Sequence, residues 1–120
     1  MTKQSRADLR RQFKEDGRPM GVYALRCTAN GKILVGASAN LPGARNSLFF
    51  QLKLGSHRNR DLQADWKSFG EQLFTWEVLD ELKPEPGADV GRELEALERL
   101  WLDEQRPYGE RGYNSPPPAG

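Results

Sequence analysis

Two ionisable residues, Glu98 and Arg45, stand where the sequence pattern otherwise places apolar side chains. Stepping about 100° per residue from Leu94 gathers Trp101, Leu97, Leu100 and Leu102 into one arc, and Glu98 falls about 40° from Leu94, inside it. Arg45 precedes Leu48, Phe49 and Leu52 by three, four and seven residues and so shares their helical face. Desolvating a charge costs several kcal/mol unless a counter-charge or hydrogen bonds offset it, so Glu98 must meet a metal ion or a basic partner. A plain Glu98–Arg45 ion pair satisfies both anomalies and stays open at this point. Glu93, Glu95, Asp103 and Glu104 lie at or beyond the edge of the arc, where water solvates them.

Few other groups could share in chemistry. The chain holds one cysteine, Cys27, and one histidine, His57, which excludes an internal disulfide and a cysteine-rich zinc site. A metal would therefore need oxygen ligands or His57. A lone histidine in a Gly-Ser-His loop reads first as a surface or capping residue.

The positioning elements follow from periodicity and turn chemistry. GVYALRCT and KILVGAS flank Asn30-Gly31, two residues that tolerate positive φ, and read as a β-hairpin with a two-residue turn. In that register Cys27 faces Leu34, Leu25 faces Gly36 and Tyr23 faces Ser38, with Tyr23, Leu25, Leu34 and Gly36 on one face of the sheet. Pro42-Gly43 reads as a break, after which Ala44 to Leu54 is an amphipathic helix ended by Gly55. Ser56 to Phe69 repeats the pattern and stops at Gly70 as a left-handed C-terminal residue, and Phe74, Trp76 and Val78 alternate as a third strand. Arg92 to Gln105 is a final helix, ended by Pro107. Trp66, Trp76 and Trp101 each fit a core stripe, with base stacking as their other use.

The 120 residues, 37% of them hydrophobic, make one small domain over residues 21–114, preceded by a basic helix or arm over 1–20 and followed by a disordered SPPPAG tail over 115–120. The net charge is +1, but residues 1–67 carry +8 and residues 68–120 carry −7. That asymmetry suits a basic face for phosphates and equally suits mutual attraction of the halves. No run of the roughly 18 apolar residues that span a bilayer occurs, and the N-terminus lacks the apolar stretch of a secretory signal, so no membrane association and a cytoplasmic location are expected.

Gly21-Val22-Tyr23, the Leu34-Val35-Gly36 strand end, Arg45 nine residues after Gly36, Glu98 in LERLWL, and the closing Pro107-Tyr108 to Tyr113-Asn114 together resemble the GIY-YIG nuclease family. Within it the sequence is similar to small stand-alone bacterial proteins with GSHRN, LQ-x-DW and PYGERGYN motifs. The resemblance implies an α+β fold, a small three-stranded antiparallel sheet flanked by helices. It further implies an endonuclease that hydrolyses nucleic-acid phosphodiesters, DNA above RNA, through one Mg²⁺ or Mn²⁺ ion. By that likeness Tyr23 orients or deprotonates the attacking water, Arg45 contacts the scissile phosphate, Glu98 holds the metal, His57 assists proton transfer and Asn114 helps fix the site. Gly36 and Ser38 would adjoin the substrate, glycine leaving room for a phosphate beside Tyr23. An unperturbed tyrosine is a poor base at neutral pH, so the base role needs a lowered pKa.

Leu34 departs from the family, whose second tripeptide begins with tyrosine; an isobutyl group neither donates nor accepts a hydrogen bond. The alternative is therefore a degenerate scaffold that binds nucleic acid or protein without cutting, with Arg45, Arg10, Arg11, Lys14, Arg58 and Arg60 carrying salt-dependent phosphate binding. No separate recognition domain is expected within these 120 residues, so specificity is expected to be low or supplied by a protein partner.

Overall fold

The computed structural model describes residues 18–116. Residues 1–17 of the arm expected over 1–20 and residues 117–120 of the expected tail lie outside the described residues. Three strands, β1 (Gly21–Cys27), β2 (Ile33–Ser38) and β3 (Phe74–Glu81), form one antiparallel sheet in the order β2-β1-β3. Three helices, α1 (Leu41–Leu54), α2 (Arg60–Phe69) and α3 (Val90–Gln105), accompany it. The expected α+β architecture is the one observed.

Central placement explains the sequence of β1. Helices cover both of its faces, so it is apolar on both and does not alternate cleanly. On one face Leu25 and Cys27 pack with Leu48 and Leu52 of α1, Leu62 and Trp66 of α2, Phe74 and Tyr113. On the other, Val22, Ala24, Ile33 and Val35 pack with Leu97, Trp101 and Leu102 of α3. Burying a side chain such as Leu25, Leu52 or Leu62 contributes about 1.5–3 kcal/mol, and these two clusters clamp the sheet from both sides.

The hairpin register differs from the expected one by two residues. Tyr23 pairs with Gly36 and Leu25 with Leu34, because residues 28–31 form a four-residue loop in which the Cys27 carbonyl accepts from Gly31 N. Only Gly31 of the Asn-Gly pair takes a positive φ, +80°, whereas the two-residue turn needs both. An even shift preserves which face each side chain occupies, so Tyr23, Leu25, Leu34 and Gly36 do share one face.

Other boundaries moved for equally local reasons. Pro42-Gly43 does not break the chain: α1 starts at Leu41, Pro42 occupies the first turn where no backbone N–H is required, and Asn40 Oδ1 caps Gly43 N at 3.1 Å. Asn59 caps α2 and Asp89 caps α3 in the same way. Gly70 has φ 88° but ψ 159°, which leads directly into the next turn and is not the helical left-handed conformation. In β3 the register shifts because Val22 faces Asp80 while Tyr23 faces Val78. Leu79 is the extra residue of this bulge and joins the α3 side of the core.

Candidate active site

Tyr23 stands near the start of β1, half-buried, on the face covered by α1 and α2. Its ring lies across Gly36: a β-carbon there would collide with the phenol hydroxyl and Cζ. The bare backbone thus accommodates the tyrosine itself, and the room expected for a phosphate is filled by the phenol. On its β3 side the ring stacks on Trp76, with centroids 4.6 Å apart and planes 17° apart. Burial, and then the negative charge of Glu98, push the phenol above the ordinary tyrosine pKa. That direction is opposite to the one a general base needs.

Glu98 lies on α3, which packs against the opposite face, yet its carboxylate is near enough for its charge to act on Tyr23. The helix is fixed at this level of the sheet by Trp101, one turn after Glu98, whose indole donates to Asp80 at 3.0 Å; Asp80 is the residue paired with Val22. Glu98 is half-buried within the α3 apolar arc, as its position implied, while Leu100, expected in that arc, is 66% exposed. Burial and the neighbouring Glu95 raise its carboxyl above the usual range. Among the described residues no hydrogen bond or ion pair reaches it.

Arg45 is exposed, not buried, and its guanidinium sits 4.9 Å from the centroid of Phe49. The Glu98–Arg45 ion pair left open by the sequence is not formed among the described residues. Instead Arg45 lies over the Phe49 ring on α1, the helix whose Leu48 and Leu52 pack on the same side of the sheet as Tyr23.

The remaining candidates are engaged in holding backbone. Ser38 Oγ donates to the Asn40 carbonyl and accepts from Asn40 N, shaping the entry to α1. The Asn114 amide clamps Val35, accepting from its N–H at 2.9 Å and donating to its carbonyl at 2.8 Å, one residue before Gly36. His57 Nδ1 accepts from Asn59 N at 3.0 Å and His57 N donates to Gln63 Oε1, with the imidazole pKa lowered by burial and by Arg58. His57 is thus built into the turn that starts α2. Leu34 stands opposite Leu25 and packs against the core, bringing no polar group to the face.

Several residues that matter had no clear sequence signal of a site. Asp65 Oδ2 accepts from both Tyr113 Oη and Asn30 Nδ2, at 2.7 and 2.9 Å, and Asn59 Nδ2 donates to the Tyr113 carbonyl. The GSHRN, LQ-x-DW and GYN motifs are therefore one hydrogen-bonded assembly that ties α2 and the hairpin loop to the segment alongside β2. Tyr113 donates to Asp65, and burial together with that carboxylate holds its pKa far above normal.

A single hard cation suits Glu98. Among the described residues no three His, Cys, Asp or Glu side chains gather in one place, so a cation here would take one protein carboxylate, with waters and substrate phosphate as its other ligands, which is ordinary for Mg²⁺. An unpartnered, half-buried carboxylate fits that part.

The fold is similar to the catalytic domain of the homing endonuclease I-TevI, with a TM-score of 0.66 and 26% identity over 79% of this chain and 96% of that one. A glutamate-to-alanine mutant of the catalytic domain of intron endonuclease I-TevI matches with a TM-score of 0.67 and 24% identity, covering 80% of this chain and 92% of that one. No protein-family model and no curated protein matches the chain. The GIY-YIG-like fold that the sequence resemblance implied is therefore the fold of the described residues. No helix among them is long and apolar enough to cross a membrane.

Proposed function

We propose that this chain, sharing its fold with a homing-endonuclease catalytic domain, is a metal-dependent endonuclease cutting DNA through Tyr23, Arg45 and Glu98. The observation that carries this reading is Glu98, a half-buried carboxylate without a protein partner among the described residues, whose charge reaches Tyr23. Leaving such a group uncompensated is costly, and a hard cation supplies the compensation. When bound, Mg²⁺ or Mn²⁺ neutralises phosphate charge and activates water.

The chain's own residues then divide the remaining work. With its pKa raised, Tyr23 is protonated at neutral pH and acts as a hydrogen-bond donor that orients water or a phosphate oxygen. Arg45, exposed and without a carboxylate partner among the described residues, offers a guanidinium fork to the phosphate and stabilises the charge that grows in the transition state. Asn114, Ser38 and His57 hold the strands and helices that carry these groups.

Cleavage of supercoiled plasmid, branched DNA and single strands in Mg²⁺ and in Mn²⁺ tests the reading, with Glu98→Ala prepared identically. The expected result is cleavage by wild type alone; equal cleavage by both preparations overturns it. Leu34 favours a second reading, a binder that does not cut, since it places an apolar group on the Tyr23 face. Under that reading wild type shows no cleavage, binds DNA with an affinity that falls steeply with salt, and loses affinity in Arg45→Ala.

A further inference from the structure

Tyr23 has no hydrogen-bond partner for its hydroxyl among the described residues, so polar contacts do not orient it. Ring contacts do. The strand order puts β2 on one side of Tyr23 and β3 on the other. Gly36 of β2 is its direct cross-strand neighbour, and the phenol leans over that bare backbone. Trp76 pairs with Leu25, which makes it the diagonal neighbour of Tyr23 on β3, within reach of an aromatic side chain. Their rings lie nearly parallel at 4.6 Å, a stacked arrangement and not an edge contact. Val78, the residue directly opposite Tyr23 on β3, is 43% exposed, so it contributes little confinement.

We propose that Trp76 is a positioning residue: its indole plane holds the Tyr23 ring against Gly36 and so fixes where the phenol hydroxyl points. This inference rests on the nuclease reading for its functional consequence, though the ring geometry stands without it. Removing the indole frees the torsions of Tyr23 and lets the hydroxyl sweep away from its present location. Misplacement of a reacting group by about 1 Å can cost on the order of 100-fold in rate. Substrate affinity, set by phosphate contacts elsewhere, changes little.

The test compares wild type, Trp76→Phe, Trp76→Leu and Trp76→Ala in full-length protein, by steady-state cleavage kinetics and by NMR of ring-labelled tyrosine. Phenylalanine keeps a ring to stack on; leucine keeps apolar packing without a plane. The expected result is a kcat close to wild type in Trp76→Phe and roughly 10–100-fold lower in Trp76→Leu and Trp76→Ala, with KM within about twofold. Loss of the indole ring current shifts the Tyr23 resonances in all three variants, whereas narrowing toward averaged values should appear in the latter two only. Equal kcat in the Phe and Leu variants overturns the proposal, as does a change confined to KM, which would place Trp76 against substrate. Should Trp76→Ala fail to fold, the Phe and Leu pair decides alone. Should wild type not cleave, the nuclease reading fails and the NMR comparison decides: Tyr23 resonances in Trp76→Leu that show no more averaging than in wild type overturn the positioning role.

Discussion

The side-chain amide of Asn114 makes to Val35 the two hydrogen bonds that a neighbouring strand would make, accepting from its N–H and donating to its carbonyl. Just before it, Tyr113 N donates to the Ile33 carbonyl and Gly112 forms a parallel bridge to Ile33. The outer edge of β2 is thus closed by the segment after α3, and the strand that carries Gly36 is fixed from both sides.

Asn114→Ala should destabilise the protein by about 1–3 kcal/mol, since it leaves a part-buried N–H and C=O of Val35 without partners. Urea denaturation measures this. Asn114→Asp retains the acceptor and loses the donor, so it should fall between the two. If Asn114 contacts the reacting atoms instead, Asn114→Asp would lose cleavage out of proportion to its stability.

Gly36→Ala should lower stability by about 1–3 kcal/mol through overpacking, because the new methyl enters the space of the Tyr23 phenol. The cost is steric and should be largely relieved in the double variant Gly36→Ala/Tyr23→Ala. A double-mutant cycle by thermal denaturation checks this: additive effects would show that the ring and the backbone do not meet.

Glu98 sets a pH dependence whose sign follows from its raised pKa. Burial and Glu95 penalise the ionised carboxylate in the folded state, so the folded chain holds this proton to higher pH than the unfolded chain does. Stability contributed by the neutral form is lost as pH rises from the ordinary carboxylate range through the raised value. Glu98→Gln should therefore be as stable as wild type or more so at neutral pH, while losing Mg²⁺-dependent cleavage. Isothermal titration with Mg²⁺ and DNA should show metal uptake growing with pH above the usual carboxylate range.

How far the sequence reveals this site depends on what each residue needs from its neighbours. Tyr23, Gly36 and Glu98 were legible because alternation in a strand and the period of a helix assign faces without a detailed register. The hairpin register itself was not, because Asn30 turns its side chain to Asp65 and leaves only Gly31 at positive φ. Arg45 looked buried because periodicity places a residue on a face but does not say where that face ends; its place in α1 lets it lie over Phe49 and still meet water. The links from Asp65 to Tyr113 and from Trp101 to Asp80 join residues 48 and 21 positions apart, beyond any local pattern.

His57 supplies the last prediction. Its Nδ1 must be unprotonated to accept from Asn59 N, and burial with Arg58 nearby lowers its pKa, so the unfolded chain binds this proton more readily than the folded one. The associated stability is present above the ordinary imidazole value, about 6.5, and is lost as pH falls from there through the lowered folded value. His57→Asn can make the same acceptor bond two residues on, as asparagine does in turns, and should keep stability within about 0.5 kcal/mol of wild type at pH 8. It should also remove this component of acid destabilisation, measured by urea midpoints between pH 5 and pH 8. Retained cleavage in His57→Asn would confine His57 to the turn that starts α2, whereas a large loss of cleavage at unchanged stability would return it to proton transfer.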